Sequence, residues 1–586
     1  MRQWMVAAKK ADFYAIAEKF HVDPVVARII RNREVIGEKN IRIYLGGNLL
    51  DLSDPHQMKD MDRLVEILAQ KIRKQVRIRI IGDYDVDGVT SSHLFLTALR
   101  RVGAKVDVVI PHRIQDGYGL SLHLLQQAKE DGVDTILTCD NGIAAIDEIA
   151  WAKAQKMTVL VTDHHAVPFE EHEGRRTEKK SLADAVVNPH QQDCGYPYKE
   201  LCGAGVAWNV IRVLYENYDM DKREAEDLLD FVAMATVCDV MSLTGENRIL
   251  VKEGLKRIRH TKNIGLQALM QACNVQPENI SAYHFGYVLG PCVNATGRLD
   301  TARHALRLFE TGQETEAEEI ARDLVDLNQE RKELTLQGVE MAKKLCEEGG
   351  YENDPVLVLF LPDVHESIAG LIAGRIREMY NRPVFVLTRG EEGVKGSGRS
   401  TENYSMYENM CGCAELFTKF GGHPMAAGLS LPEENVEKFR RKINENCPLT
   451  VEEVCPDIHI DMAMPVGYAS TELVHQFALL EPFGKDNPSP LFADRNLSIS
   501  RMWLIGKNRN VLRMSVLSEY GQAVPVIFFG DVETLFAYFT EKFGQEEVEN
   551  ALHGRKNRIL FSMVYTAKID FYQGNENLQL EMKYYR

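Results

Sequence analysis

Short aliphatic runs that stop at acidic residues recur through the first half of this chain and leave little choice of fold. Residues 76–81 end at Gly82 and lead into Asp83-Tyr84-Asp85-Val86-Asp87-Gly88. Residues 134–138 lead to Asp140-Asn141-Gly142, and Thr158–Thr162 leads to Asp163-His164-His165. Another run at 105–110 and helical patterns at 90–101 and 143–155 lie between them. Buried strands alternating with helices predict a parallel sheet covered by helices. Ligands of such sheets sit beyond the carboxyl ends of the strands, where these acidic residues fall.

The rest of the chain divides by pattern. Residues 1–70 read as an N-terminal helical region and 71–312 as the first α/β block with trailing helices. Residues 313–349 hold the longest helical pattern, Glu314–Glu348, about 50 Å long at 1.5 Å per residue and able to join two lobes. Residues 350–450 repeat the alternation, with strands at 356–361 and 384–388 around a helix at 367–380. From 451 to 586 short β segments separated by turn residues predict a small barrel or sandwich.

Composition narrows the function classes. Lysine and arginine number 69 against 85 aspartate and glutamate, a net charge of −16. A surface that coats nucleic acid throughout is usually basic, so a phosphate partner must meet a local patch. No apolar run is long enough to cross a bilayer, because the richest stretch, 231–243, is broken by Asp239. The N-terminus lacks an apolar signal core, and the eleven cysteines include no CxxC pair. A cytoplasmic protein with reduced thiols and no membrane partner is expected.

Four sites share one chemistry: the DYDVDG run, Asp140, the Asp163-His164-His165 run and Asp239. If DYDVDG is extended, its alternate carboxylates share a face about 7 Å apart. Each piece alone also fits an acidic turn, a helix cap or a surface histidine. The EF-hand reading of DYDVDG fails, because the twelfth loop position is Leu94 rather than glutamate. Taken together, Asp83, Asp85, Asp87, Asp140 and Asp239 sum to −5, and crowded, partly buried carboxylates cannot all stay ionised unaided. Two divalent cations reduce that to −1. Oxygen ligands with a few imidazoles suit Mn²⁺ or Mg²⁺, and two such ions clamp a phosphate ester for hydrolysis.

In this order and spacing, DYDVDG, CDNG, DHH and the Asp239 segment resemble the four motifs of the DHH phosphoesterase superfamily. The resemblance implies Asp85, Asp87, Asp140, His164 and Asp239 as metal ligands, with Asp83 a further metal ligand or a near-ligand. Asp140 would be the bridging carboxylate, and His165 would either contact the scissile phosphate or sit behind the ligands and orient them. Asp140, His165 and Asp87 are accordingly the catalytic candidates. KGSGRS at 395–400 and GGHPMAAG at 421–428 are similar to the DHH-associated substrate-binding domain. TVCD at 236–239, GENR at 245–248, NATGRL at 294–299 and LEPFGKDNPSP at 480–490 resemble the RecJ branch, so the likeness extends over nearly the whole chain.

RecJ proteins degrade single-stranded DNA from the 5′ end to mononucleotides in recombination and repair, with Mn²⁺ or Mg²⁺. The resemblance implies an oligonucleotide-binding, OB-like barrel after about residue 451. It also implies phosphate contacts from Arg113, Ser397, Arg399 and His423, and a single-strand-binding protein or helicase as partner. Three positions depart from the family pattern: Cys292 where many relatives have arginine, Asp486 in place of a glycine, and Asn510 where histidine is common. A basic cluster, Lys71, Arg73, Lys74, Arg77 and Arg79, is a candidate DNA track or a solvated strand edge. Tyr118, Tyr404 and Trp503 are candidates for stacking bases. Two alternatives stay open: a phosphodiesterase for short oligonucleotides or cyclic dinucleotides, and a non-catalytic DNA-binding scaffold.

Overall fold

The aliphatic runs form strands, and the inner ones bury both faces between layers of helix while the edge strand Lys105–Val109 stays partly exposed. They are Arg77–Ile81 (β1), Lys105–Val109 (β2), Thr135–Cys139 (β3), Thr158–Thr162 (β4) and Ala185–Val187 (β5). All pair in parallel, in the order β2-β1-β3-β4-β5. The chain leaves β1 for the edge strand β2 and returns to β3, so the order reverses between β1 and β3. That switch point is where a parallel sheet opens a crevice for ligand, and Asp83 and Asp140 follow the two strands that flank it.

The computed structural model describes residues 3–586 except 113–115, 117–118, 173–174, 300, 391–392, 507–509, 519 and 573. It forms two compact units. One comprises Leu52–Met241 and Ile249–Pro456; the other comprises Gln3–Asp51, Ser242–Arg248 and Asp457–Arg586.

In the first unit, helices Val86–Arg101 (α1), Gly203–Asn217 (α2) and Leu229–Cys238 (α3) carry mostly buried residues. Helices Ile264–Ala272 (α4) and Gly290–Leu299 (α5) pack on the 35-residue helix Glu314–Glu348 (α6). A mixed sheet follows, with Leu357–Phe360 (β6), helix Glu366–Tyr380 (α7), Val384–Gly390 (β7), Gly393–Arg399 (β8), Lys419–His423 (β9) and Ala426–Leu431 (β10). Its order is β9-β10-β8-β7-β6, and only β6 and β7 pair in parallel. KGSGRS therefore runs along β8, and GGHPMAAG is the β9–β10 hairpin.

In the second unit, Phe492–Ile505 (β11), Val511–Leu517 (β12), Ala523–Phe528 (β13), Leu560–Tyr572 (β14) and Asn575–Tyr585 (β15) form a sheet in the order β11-β12-β13-β15-β14. Pairing of β11 with β14 closes it into a barrel. Helices Phe13–Phe20, Pro24–Asn32 and Glu38–Gly46 belong to this unit. Val26, Ile29 and Ile30 share one core with barrel residues Met514, Val526 and Phe561. Arg33 holds the buried Asp461 at 2.8 Å. The helical stretch 1–70 thus contributes to both units, since Met61–Arg73 packs in the first. Asp486 has φ +60°, a left-handed conformation that aspartate tolerates better than most residues, so its replacement of a glycine fits the backbone. Among the described residues, no helix is long and apolar enough to cross a membrane.

Candidate metal centre

DYDVDG is not extended. It is the turn from β1 into α1, because Asp85 caps that helix: its Oδ1 accepts from Gly88 N at 3.0 Å. Asp83 lies at the strand end, Asp85 at the cap and Asp87 in the first helical turn, where the helix dipole favours a negative charge. Close approach needs Gly88, since a Cβ there would meet the Asp83 carbonyl oxygen at 2.4 Å.

Asp140 follows β3 with φ +61°. Its neighbour Asn141 pins the turn by donating to Ile81 O at 3.0 Å and Cys139 O at 2.9 Å. After β4, Asp163 orients the two histidines rather than joining the cluster. Its Oδ1 accepts from His164 N at 2.7 Å, His165 N at 3.1 Å and His165 Nδ1 at 2.7 Å, and its Oδ2 from Ile143 N at 2.8 Å. Asp239 is the C-cap of α3.

These elements bring the predicted ligands together. His164 Nε2 lies 3.0 Å from Asp140 Oδ1 and 3.6 Å from both Asp87 Oδ2 and Asp239 Oδ2. Among the described residues, three sets place one ligand atom from each member within 4.8 Å of the others: Asp83, Asp85 and Asp140; Asp87, His164 and Asp239; and Asp140, His164 and His165. Asp140 and His164 each belong to two sets; of the two, only the carboxylate has two oxygens with which to reach a pair of cations.

The electrostatics fit cations. Burial, then the charge of Asp85, pushes the Asp83 carboxyl well above its usual range. Burial and Asp87 raise Asp85, and burial with Asp87, Asp85, Asp239 and Asp83 raises Asp140. Among the described residues, no close, well-aligned hydrogen bond reaches either of the buried Asp83 oxygens or the buried His164 Nε2. A buried polar atom in this condition is costly unless something coordinates it. Burial lowers His164, so its lone pair is available to a metal at neutral pH. Burial also opposes a charge on His165, but the Asp163 hydrogen bond and charge raise it to about 9. A cationic imidazole beside the carboxylates is suited to a phosphate oxygen. The residues therefore fit two divalent cations with oxygen and imidazole donors.

A cleft of about 510 Å³ is lined by Tyr84, Arg298, Lys395, Ser397, Arg399 and Lys419. Arg399 Nη1 donates to Ser397 Oγ at 3.2 Å and Gly398 O at 2.7 Å. Arg298 Nη1 donates to Ser367 O at 2.7 Å, tying α5 to α7. His423 is exposed at the end of β9 and does not line this cleft. Arg113 and Tyr118 lie outside the described residues.

Three of the five residues of the basic cluster, Lys71, Arg77 and Arg79, are paired rather than free. Lys71 pairs with Asp134 at 2.5 Å, Arg77 with Asp107 at 2.9 Å, and the buried Arg79 with Asp107 and Asp131, each at 2.8 Å. Tyr404 is buried in the core of the mixed sheet and presents no face to a base. Trp503 is half-buried on β11, with the Arg501 guanidinium 5.1 Å from its ring. Sequence reasoning missed Asp163 as the histidine anchor, although its place at the end of β4 signalled it. It also missed the backbone N–H groups of Gly203 and Ala204, which hold Asp87 at 2.6 and 2.8 Å, and, although NATGRL was singled out, the contact of Asn294, whose Oδ1 accepts from Val86 N at 3.1 Å. Backbone donors leave no compositional trace.

Comparison with known proteins agrees with this architecture. Residues 77–236 match the DHH family N-terminal domain, 353–447 the DHHA1 domain and 460–584 the RecJ OB domain. The single-stranded-DNA-specific exonuclease RecJ of Haemophilus influenzae is 32% identical over 582 residues, 96% of each chain. That of Bacillus subtilis is 33% identical over 512 residues, 87% of this chain, which spans 63% of that relative's length. The crystal structure of RecJ in complex with Mn²⁺ from Thermus thermophilus superposes with a TM-score of 0.79 at 25% identity, covering 100% of this chain and 79% of that one. On motifs, architecture and full-length likeness, the chain belongs to the RecJ family.

Proposed function

We propose that this protein is a metal-dependent exonuclease that degrades single-stranded DNA from the 5′ end to 5′-mononucleotides, in recombination and repair. The observation that carries the reading is the convergence of Asp83, Asp85, Asp87, Asp140, His164 and Asp239, with Asp140 shared between two ligand sets. These residues would hold two Mn²⁺ or Mg²⁺ ions. When bound, the ions neutralise phosphate oxygens and supply the Lewis acidity for in-line hydrolysis.

The chain's own residues do the rest. Asp163 fixes the ring and charge of His165, which donates to a non-bridging oxygen of the scissile phosphate and stabilises the charge that builds there. Arg399 and Ser397, held together on β8, receive the terminal phosphate, for which a planar guanidinium suits paired oxygens. The same reading gives the barrel the role of gripping the strand. It gives the protein a cytoplasmic location, in keeping with eleven reduced cysteines, and a single-strand-binding protein or helicase as the source of substrate.

The test is a time course with Mn²⁺ on single-stranded DNA labelled at either end, beside its duplex, with Asp140→Ala as control. Immediate release of the 5′ label as a mononucleotide, a surviving duplex and a dead variant are expected. Cleavage of fragments only a few nucleotides long would move the substrate class to short oligonucleotides. Binding without cleavage would make the protein a scaffold.

A further inference from the structure

Cys273 and Cys292 belong to neither the carboxylate cluster nor the phosphate cleft, yet their Sγ atoms lie 3.7 Å apart. Cys273 caps the C-terminus of α4 and is half-buried; Cys292 sits in the first turn of α5 and is 2% exposed. Asn328 on α6, itself buried, donates its Nδ2 to Cys292 Sγ at 3.3 Å. The Cys292 thiol reaches Val288 O at 3.3 Å. This sulfur therefore fixes where α5 lies against α4 and α6.

What α5 holds makes its position matter. Two residues beyond Cys292, Asn294 Oδ1 accepts from Val86 N, the first residue of the helix that presents Asp87. Gly297 lies so close to Tyr84 that a Cβ would meet the Tyr84 carbonyl oxygen at 2.4 Å. Arg298 reaches across to Ser367 O. One short helix thus touches the DYDVDG turn and the wall of the phosphate cleft.

We propose that Cys273 and Cys292 are an oxidisable pair that hydrogen peroxide closes into a disulfide, and that closure moves α5 and slows the centre it supports. The half-exposed Cys273 sulfur gives up its proton as it attacks one peroxide oxygen; an S–O bond forms, the O–O bond breaks, and the departing hydroxide takes that proton to leave as water. Cys292 then gives up its proton and attacks the Cys273 sulfenic sulfur. The S–S bond forms, the S–O bond breaks, and the second oxygen leaves as water. The two sulfurs lose two electrons and one peroxide becomes two waters. A disulfide bond is about 2.05 Å long, so the sulfurs must close by roughly 1.6 Å. That withdraws Cys292 from Asn328 and drags the start of α5 towards α4. In a reducing cytoplasm the bond is transient, as a redox sensor requires.

The full-length reduced protein is treated with hydrogen peroxide, free thiols are blocked, and the peptides are mapped by mass spectrometry. A Cys273–Cys292 linked peptide is expected, together with faster hydrogen exchange at the Val86 amide and about a tenfold fall in single-stranded DNA turnover. Dithiothreitol reverses all three. Cys273→Ser, given the same treatment, keeps its slow Val86 exchange and its untreated turnover. Absence of the linked peptide overturns the proposal, as does a linked peptide with unchanged Val86 exchange. Should the reduced protein fail to degrade DNA, the nuclease reading falls, whereas the peptide map and the exchange rate still decide this one.

Discussion

Gly203 donates its backbone N–H to Asp87 Oδ2 at 2.6 Å, while its bare Cα faces Asp140, where a Cβ would meet the Asp140 Cβ at 2.6 Å. The N-terminus of α2 thus holds one proposed ligand and leaves room for another, using its dipole and free amides on a carboxylate. Gly203→Ala forces these carboxylates apart without removing any ligand. We expect a folded protein whose Mn²⁺ affinity falls by about ten- to a hundredfold. Isothermal titration with Mn²⁺ reads this directly, and an unchanged affinity would show that the α2 terminus does not position the site.

Burial and the neighbouring carboxylates raise the Asp140 pKa well above its usual value. The folded-state pKa therefore exceeds the unfolded one. The contribution of Asp140 to stability is complete below the unfolded value, about 4, and is lost as pH rises through the raised folded value. The metal-free cluster thus destabilises the protein at neutral pH. Cations reverse this; at a hundred times Kd, one site adds about 2.7 kcal/mol. Chelation should lower the melting temperature of the wild type. In chelator, Asp140→Asn should melt above the wild type while having no nuclease activity in Mn²⁺. A wild type whose melting temperature ignores chelator would count against a metal site here.

The strands and their acidic ends are legible in the sequence because a buried parallel strand has to be aliphatic and its ligand-bearing residues have to follow it. Glu314–Glu348 is legible because nothing in it breaks a helix except Gly338, which packs against Ile372. The misread parts depend on contacts between distant residues. Arg79 looks like a surface cation until folding sets it beside Asp107 and Asp131. Residues 13–46 look like part of one helical region, but their apolar faces complete the barrel core. DYDVDG fits an extended run by its alternation, and only the following helix turns Asp85 into a cap.

His93 on α1 is buried with its ring 4.5 Å from Phe231 and 5.8 Å from Phe309, and its Nδ1 has no hydrogen-bond partner among the described residues. Burial, with a smaller push from Arg100, takes its pKa down to about 3. A depressed folded-state pKa means the neutral ring's stabilisation is complete above about 6.5, the unfolded value, and is lost as pH falls towards 3. At pH 5 the loss is about 2 kcal/mol. His93→Phe should flatten urea stability between pH 7 and 5, within the tolerance of overpacking at this site. An equally steep wild-type and variant slope would place the acid sensitivity elsewhere.

In the second unit, Arg248 is 1% exposed and its guanidinium satisfies three carbonyls: Tyr44 O, Leu480 O and Leu479 O, each at 2.8 Å. It also lies 3.9 Å from the centre of the Tyr44 ring. Burial lowers its pKa from the ordinary arginine value, so the charge is held at a cost that these contacts offset. Arg248→Met keeps most of the volume but leaves three carbonyls short of a donor, which costs about 3 kcal/mol. Arg248→Lys should recover less than half, because a single ammonium cannot reach three divergent acceptors as a planar fork does. Urea unfolding followed by circular dichroism orders the three proteins. A lysine variant as stable as the wild type would mean that charge over Tyr44, rather than the carbonyl contacts, accounts for the stabilisation.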